Sequence, residues 1–277
     1  MKMKLPAKIY SAIVFCFLFA PIVVLLVFSF NDAKSLSVMS GFSFRWYEDL
    51  MRDSNTLASV KNTLLLAAAA TAVSTVIGTL AAVGIDRLRS RWYRAAMNTV
   101  TDIPMTNPDI ITGISLMLMF VFVGRLFGAS TSLNFFTMLV AHVTFCTPYV
   151  ILNVMPKLRQ LDKNAYEAAL DLGATPHQAL HKVILPEIMP GIVTGAIMAF
   201  TMSIDDFVVS YFTAGTTSQP LSVVIYSMTR HRMTPKINAI STILFLIVLA
   251  LLIVINMRQS RDEKRREAAR RKGAMQP

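Results

Sequence analysis

The sequence predicts an all-α integral membrane protein with six transmembrane helices, and three observations lead there. The first is block structure. Of 277 residues, 54% are hydrophobic, mean hydropathy is +0.54, and the apolar residues fall in long, nearly uncharged runs. A soluble domain would break such runs into amphipathic stripes, whereas about 20 continuous apolar residues are what a helix needs to cross the hydrocarbon layer. The second is charge. The net charge of +11 is gathered between the blocks and at the chain ends, not spread along a nucleic-acid-binding face. The third is the cysteines. Cys16 and Cys146 stand alone in separate apolar blocks, so neither a disulfide framework nor a metal spacing exists, and both are expected to be buried small apolar side chains.

Six blocks qualify: residues 9–30, 60–85, 95–127, 133–155, 188–212 and 237–257. The first is too long for a signal-peptide core and lacks a small-x-small cleavage site, so it is expected to be an uncleaved span. The third is over-long and carries Pro104 and Pro108, which predict a kinked or broken helix. Small residues crowd the second block (Ala67 to Ala70, Gly78, Ala81, Ala82), and Gly191 and Gly195 form a small-xxx-small pair in the fifth. Such faces let helix backbones approach closely. Residues 1–8 and 258–277 then flank a membrane domain at 9–257.

Lys and Arg set the orientation. With the N-terminus in the cytoplasm, the inner segments hold Lys2, Lys4 and Lys8; Arg87, Arg89, Arg91 and Arg94; Lys157, Arg159, Lys163 and Lys182; and the tail from Arg258. Together these are 19 of the 27 basic residues. Both termini are therefore expected to be cytoplasmic. The basic tail follows a span directly, so it is expected to face anionic lipid and not RNA.

The longest inner segment, 156–187, has the signals of two short helices. Asp162 is placed to cap a helix through Tyr166–Leu172, and Gly173 to stop it. Thr175 caps a second, with Pro176 at its first position, Gln178 closing a capping box, and Pro186 expected to end it. Well-capped helices on the cytoplasmic side of a bundle suggest a docking element for a soluble partner.

Glu167-Ala168-Ala169, then Gly173, then Val183-Ile184-Leu185-Pro186 resembles the EAA loop of bacterial ABC importer permeases, with Val183 in place of the usual Ile. That resemblance implies a type I importer permease fold, the methionine-importer permease type, whose coupling helices sit in a cleft of the ATPase. Glu167, Ala168, Ala169, Asp171, Gly173, Ala174, Leu185 and Pro186 would make the contact. No G-x-x-x-x-G-K-[ST] phosphate loop occurs, so this chain is not expected to be an enzyme or to hold a cofactor. ATP and magnesium belong on the partner.

Four acids lie within or near the blocks: Asp102, Asp109, Asp205 and Asp206. A charge at the centre of a membrane helix costs about 2.5–3.5 kcal/mol or more, so each needs a reason. Two neighbouring carboxylates at Asp205 and Asp206 are best explained by a compensating cation, with pairing to a basic residue of another subunit as the structural alternative. A polyamine suits acids beside aromatic walls. Asn107 and Asp109 follow the interruption of the third block and are placed to satisfy the start of the next helix, to line a pathway, or both. Asp102 has no assigned role. His177 and His181 have chelate spacing but lack a third ligand, and are assigned to partner contact. His142 is expected to be a satisfied interhelical side chain.

Phe42-Ser43-Phe44-Arg45-Trp46-Tyr47, Pro108-Asp109-Ile110, His142 to Cys146 and Ser203-Ile204-Asp205-Asp206 together resemble one branch of the family, the spermidine/putrescine importer permeases. By that likeness Trp46, Asp109, Ser203, Asp205 and Asp206 contribute to polyamine passage, with Tyr47 and Tyr211 beside them. The implied partners are an ATPase dimer, a second homologous permease, an extracytoplasmic polyamine-binding protein and membrane lipid, with no nucleic acid. The location is the bacterial inner membrane. Another small cation, an opine or an organophosphonate is the nearest alternative substrate. An ion-coupled secondary carrier would not need the docking loop, and a membrane enzyme would need a catalytic grouping that is not visible.

Overall fold

The protein is described from a computed structural model, which covers residues 5–33, 38–128, 133–216, 218–231 and 235–250, with Leu252, Ile253 and Met257 beyond them. Lys2, Lys4 and the basic tail lie outside the described residues. The described residues are helical apart from connecting segments and one isolated bridge between Asn31 and Phe42. The chain divides into two compact units, 1–57 with 225–277, and 58–224.

The first unit contains α1 (Leu5–Phe28), α2 (Arg45–Arg52) and α12 (Lys236–Ala250). Between α1 and α2 the chain folds back on itself around Asn31. Its amide donates to the Val38 carbonyl at 2.6 Å, its side-chain oxygen accepts from the Ser40 N–H at 3.0 Å, and its own carbonyl accepts from the Trp46 indole at 2.7 Å. Phe30, Phe42, Phe44 and Tyr47 cluster beside this turn, and the Tyr47 hydroxyl lies 2.7 Å from Ser29 Oγ. Asp53 caps the start of α3 (Ser54–Arg87), accepting from Asn55 N–H and the Thr56 hydroxyl, and pairs with Lys236 at the head of α12. That lysine holds the Asp53 carboxyl below the usual carboxylate range.

The second unit is organised on α6 (Phe135–Arg159), with the body of α3 and α9 (Leu185–Asp205) against it. The predicted small residues explain the contact. A Cβ on Gly191 would stand 2.7 Å from the Asn153 carbonyl oxygen, one on Gly195 3.1 Å from Val150 Cα, and one on Gly78 2.7 Å from Val150 Cβ. Only glycine permits approaches this close, and Val150, Val154 and Ile188 are fully buried as a result. Asn134 opens α6 with a capping box closed by Thr137.

Five helices among the described residues are long and apolar enough to cross a membrane: Lys8–Phe28, Ser54–Arg87, Asp109–Leu126, Phe135–Arg159 and Pro176–Asp205. The sixth block is represented by α12, which is shorter over the described residues. The third block is not one helix. α4 (Arg91–Thr106) stops, Asn107 and Pro108 run extended, and α5 (Asp109–Leu126) begins anew. Pro108 has no N–H to give the ladder and pushes Asn107 out of the helical region. The fifth block departs from its expected 188–212 helix as well: α9 ends at Asp205, and α10 (Val208–Thr213) follows after a bend.

Two smaller expectations are corrected. Cys146 is buried, but Cys16 lies on the exposed face of α1. Pro186 does not end the second docking helix. α8 (Pro176–Ala179) runs through a π turn, Leu180–Ile184, straight into α9. The Leu185 N–H bonds the Leu180 carbonyl, so the ladder has already shifted by one residue where Pro186 withdraws its donor.

Candidate functional site

Two groups of side chains stand out, one at each end of α9. At its start, α7 (Lys163–Asp171) and α8 form a capped corner. Asp162 accepts from Asn164 N–H at 3.0 Å, and Gly173 takes φ +86°, a left-handed conformation that suits glycine. The Gly173 and Ala174 amides close the helix end on the Leu170 and Ala169 carbonyls. Thr175 and Gln178 complete the reciprocal capping box at 3.3 and 3.0 Å. The first helix of the corner therefore begins at Lys163, directly after the Asp162 cap that the sequence suggests.

Glu167, Ala168, Asp171, Gly173 and Pro186 are exposed on this corner, while Ala169, Ala174 and Leu185 are half-buried. Leu172, at 89% exposure, was not singled out from the sequence; its position directly before the glycine corner was the available signal. Behind α7 lies a cavity of about 190 Å³ between Val83, Leu158, Tyr166 and Ile184, and the Arg87 guanidinium sits 4.6 Å above the Tyr166 ring. His177 and His181 are exposed with ring centroids 4.3 Å apart, and no group of three metal-binding side chains occurs among the described residues.

At the far end, Asp206 has extended backbone (φ −66°, ψ 127°) and turns its carboxylate back on the next helix. Oδ1 accepts from Val209 N–H at 3.2 Å and Oδ2 from Ser210 N–H at 2.7 Å. Its carbonyl accepts from the Ser222 hydroxyl, in α11 (Leu221–His231), at 3.0 Å. Fully buried His142, on α6, lies within hydrogen-bond distance of Ser203 Oγ through Nδ1 (2.8 Å) and of Ser210 Oγ through Nε2 (2.9 Å). The same Nε2 is 3.5 Å from Asp206 Oδ2. The two acids thus have different surroundings: Asp206 is turned toward amides and an imidazole, whereas Asp205 is exposed.

Ser203 is buried, and Tyr211 is 51% exposed with its ring 5.6 Å from Phe207. Asp109 is exposed in the first turn of α5, where the helix dipole favours an acid. α5 has no side-chain cap, and Asn107 closes the end of α4 instead. Trp46 and Tyr47 belong to the other unit, where Trp46 is only 8% exposed and its indole N–H is used by Asn31. Asp102 lies exposed on α4, a helix with no buried residue.

Residues 74–268 match the family described as binding-protein-dependent transport system inner membrane component, and the chain belongs to that family. It is similar to the putrescine transport system permease protein PotI of Escherichia coli (strain K12), 40% identical over 83% of this chain and 82% of that one. It is also similar to the spermidine/putrescine transport system permease protein PotC of Haemophilus influenzae, 36% identical over 88% of this chain and 93% of that one.

Among solved structures, a bacterial ABC transporter that imports the acidic polysaccharide alginate shares the fold at TM-score 0.78 and 18% identity, covering 93% of this chain and 95% of its own. The MetNI methionine transporter, in an inward-facing form, matches at TM-score 0.61 and 20% identity over 79% of this chain and 99% of its own. The architecture is that of a type I importer permease. The chain is a multi-pass inner-membrane component of a binding-protein-dependent transport system; it carries no cofactor, and the ATPase is a separate subunit.

Proposed function

We propose that this permease passes polyamines, spermidine or putrescine, into the cell. The Asp205 carboxylate carries the proposal: it is exposed at the break of an apolar block, with no ion pair among the described residues. A charge so placed calls for a cation from outside the chain. The relatives named for putrescine and spermidine/putrescine transport support a polyamine as that cation. Asp109 and the Tyr211 face line the same route, with Ser203 and Asp206 behind them. Trp46 and Tyr47 serve it by holding the segment between α1 and α2 in shape.

In this proposal α4 and α5 together make the third of six spans and α12 lies in the sixth, with both termini in the cytoplasm. A binding protein delivers the polyamine to a pathway formed with a second permease. Paired ATPases grip Glu167, Ala168, Ala169, Asp171, Leu172, Gly173 and Ala174, with Leu185 and Pro186 at the root of the corner. Closure of the ATPases moves α7 and α8, and the continuous run from α8 through the π turn carries that movement into α9.

The test is uptake of labelled spermidine and putrescine by cells that hold the whole importer. Asp205→Asn is expected to lower uptake at least tenfold while the ATPase stays on the membrane. Glu167→Ala is expected to lose both uptake and membrane-bound ATPase. Normal polyamine uptake by Asp205→Asn would take that carboxylate out of the route, and absence of polyamine uptake by the unaltered importer would leave an importer of some other substrate.

A further inference from the structure

His142 has no place in the pathway or the docking corner, yet it is fully buried beside the break at Asp206. Its surroundings are specific. Ser203 stands in the last turn of α9 and Ser210 in the first turns of α10, one on each side of the break at Asp206. In an unbroken helix, residues seven apart are about 10.5 Å apart along the axis. One imidazole reaches both hydroxyls, at 2.8 and 2.9 Å, because the chain bends between them. The ring is rigid and carries a polar atom at each end, so it fixes the bend in a way that a flexible side chain could not. Either tautomer is satisfied, since each hydroxyl can donate or accept.

The bend decides which acid faces out. A break inside an apolar bundle leaves helix-end amides that must find acceptors. Asp206 supplies one to Val209 and Ser210, and its carboxylate lies beside the ring that holds Ser210. With Asp206 turned inward, its neighbour Asp205 remains exposed. α10 is braced from the other side by α5, where a Cβ on Gly113 would meet Phe212 at 2.9 Å and Val209 Cα at 3.4 Å. The break is therefore held from α6 by polar bonds and from α5 by close packing.

We propose that His142 is a positioning residue for transport, stapling the two halves of the broken span so that Asp206 stays inward and Asp205 faces the pathway. Ser203 and Asp206 then act on the substrate through this staple and not by touching it. The transport arm rests on the polyamine reading above; the labelling arm does not.

The experiment uses the assembled importer carrying Asp205→Cys in a Cys16→Ser background; Cys16 is exposed, and Cys146 is fully buried and can stay. The rate of reaction with a small cationic thiol reagent reports whether position 205 faces water. His142→Ala is expected to lower that rate at least tenfold, and Ser203→Ala with Ser210→Ala to reproduce the loss. In uptake assays with Asp205 intact, His142→Ala should raise KM about tenfold and leave kcat per assembled importer within twofold. His142→Asn, which keeps an arm toward Ser203, should recover part of both. A merely structural histidine would change the amount of importer and leave the rate per thiol alone, and that result overturns the proposal. If His142→Ala does not assemble, the single serine variants decide: each should slow labelling at least threefold, and unchanged rates in both refute the staple. Labelling needs no substrate, so it tests the role of His142 even in an importer that proves not to carry polyamines.

Discussion

Among the described residues two apolar blocks are interrupted, and the interruptions are made by different chemistry. Between α4 and α5 the backbone does the work: Pro108 removes a donor, Asn107 turns extended, and no side chain caps the helix that follows. Between α9 and α10 there is no proline. Asp206 supplies the cap, and His142, Ser203 and Ser210 surround it. The first break runs through exposed residues from Thr106 to Ile110, whereas the second is flanked by buried Ser203, Ile204, Val209 and Ser210. Backbone groups freed at an exposed break have water or a partner subunit to turn to. Groups freed inside the bundle have only neighbouring side chains, and leaving one unsatisfied costs about 1–3 kcal/mol.

The sharpest way to separate the two is to remove the second cap. Asp206→Ala orphans two amides and is expected to destabilise the purified importer by at least about 2 kcal/mol, seen as a lower Tm in detergent. Asp206→Asn keeps an acceptor and should lose less than about 1 kcal/mol. Equal losses in the two variants would mean that the charge, not the cap, holds the bend.

Gly113 joins the two breaks, since it lies just past the first and touches the helix that follows the second. Gly113→Ala forces its methyl against Phe212 and is expected to cost about 1–3 kcal/mol, with much of the loss regained when Phe212→Leu is added. Additive effects in that double mutant, measured by the same melting assay, would uncouple the breaks. The smallest effect belongs to Pro108→Ala. With no side-chain network to lose, it should cost only the 0.4–1 kcal/mol or so that proline contributes by stiffening the unfolded chain. A larger fall in Tm would show that the first break is as elaborately held as the second.

The sequence made some of this visible because the determining residues are neighbours. Thr175 with Gln178, Asp162 before Lys163, Gly173 at the corner and Pro108 in the third block act within one turn of themselves. Glycines at 78, 191 and 195 were legible as close-approach sites, though not which backbone each would meet. The misses are long-range or depend on register. His142 is 61 residues from Ser203 and 68 from Ser210, so no local pattern shows that they meet. Asp206 stood out as one of a charged pair, yet its capping role exists only once the helix bends behind it. Trp46 stood out by its motif, but no local pattern shows that its indole would bond the Asn31 carbonyl fifteen residues away. Pro186 looked like a stop because a proline normally ends a helix, and the shift in hydrogen bonding that accommodates it lies in the turn before.

That turn also sets the angle at which the corner meets α9. A π turn holds one residue more than the α-helical turn it replaces, so Leu180–Ile184 has the form of a helix that has absorbed a single-codon insertion. Take that codon away and the stretch relaxes to a plain helix, with everything before it swung by about 100° around the axis of α9. Leu172 and Glu167 would then point to another side of the bundle, their caps and sequence intact. In the coupling proposed above, the fit between this subunit and its ATPase is a matter of phase, set by the extra residue that the π turn places between the corner and α9.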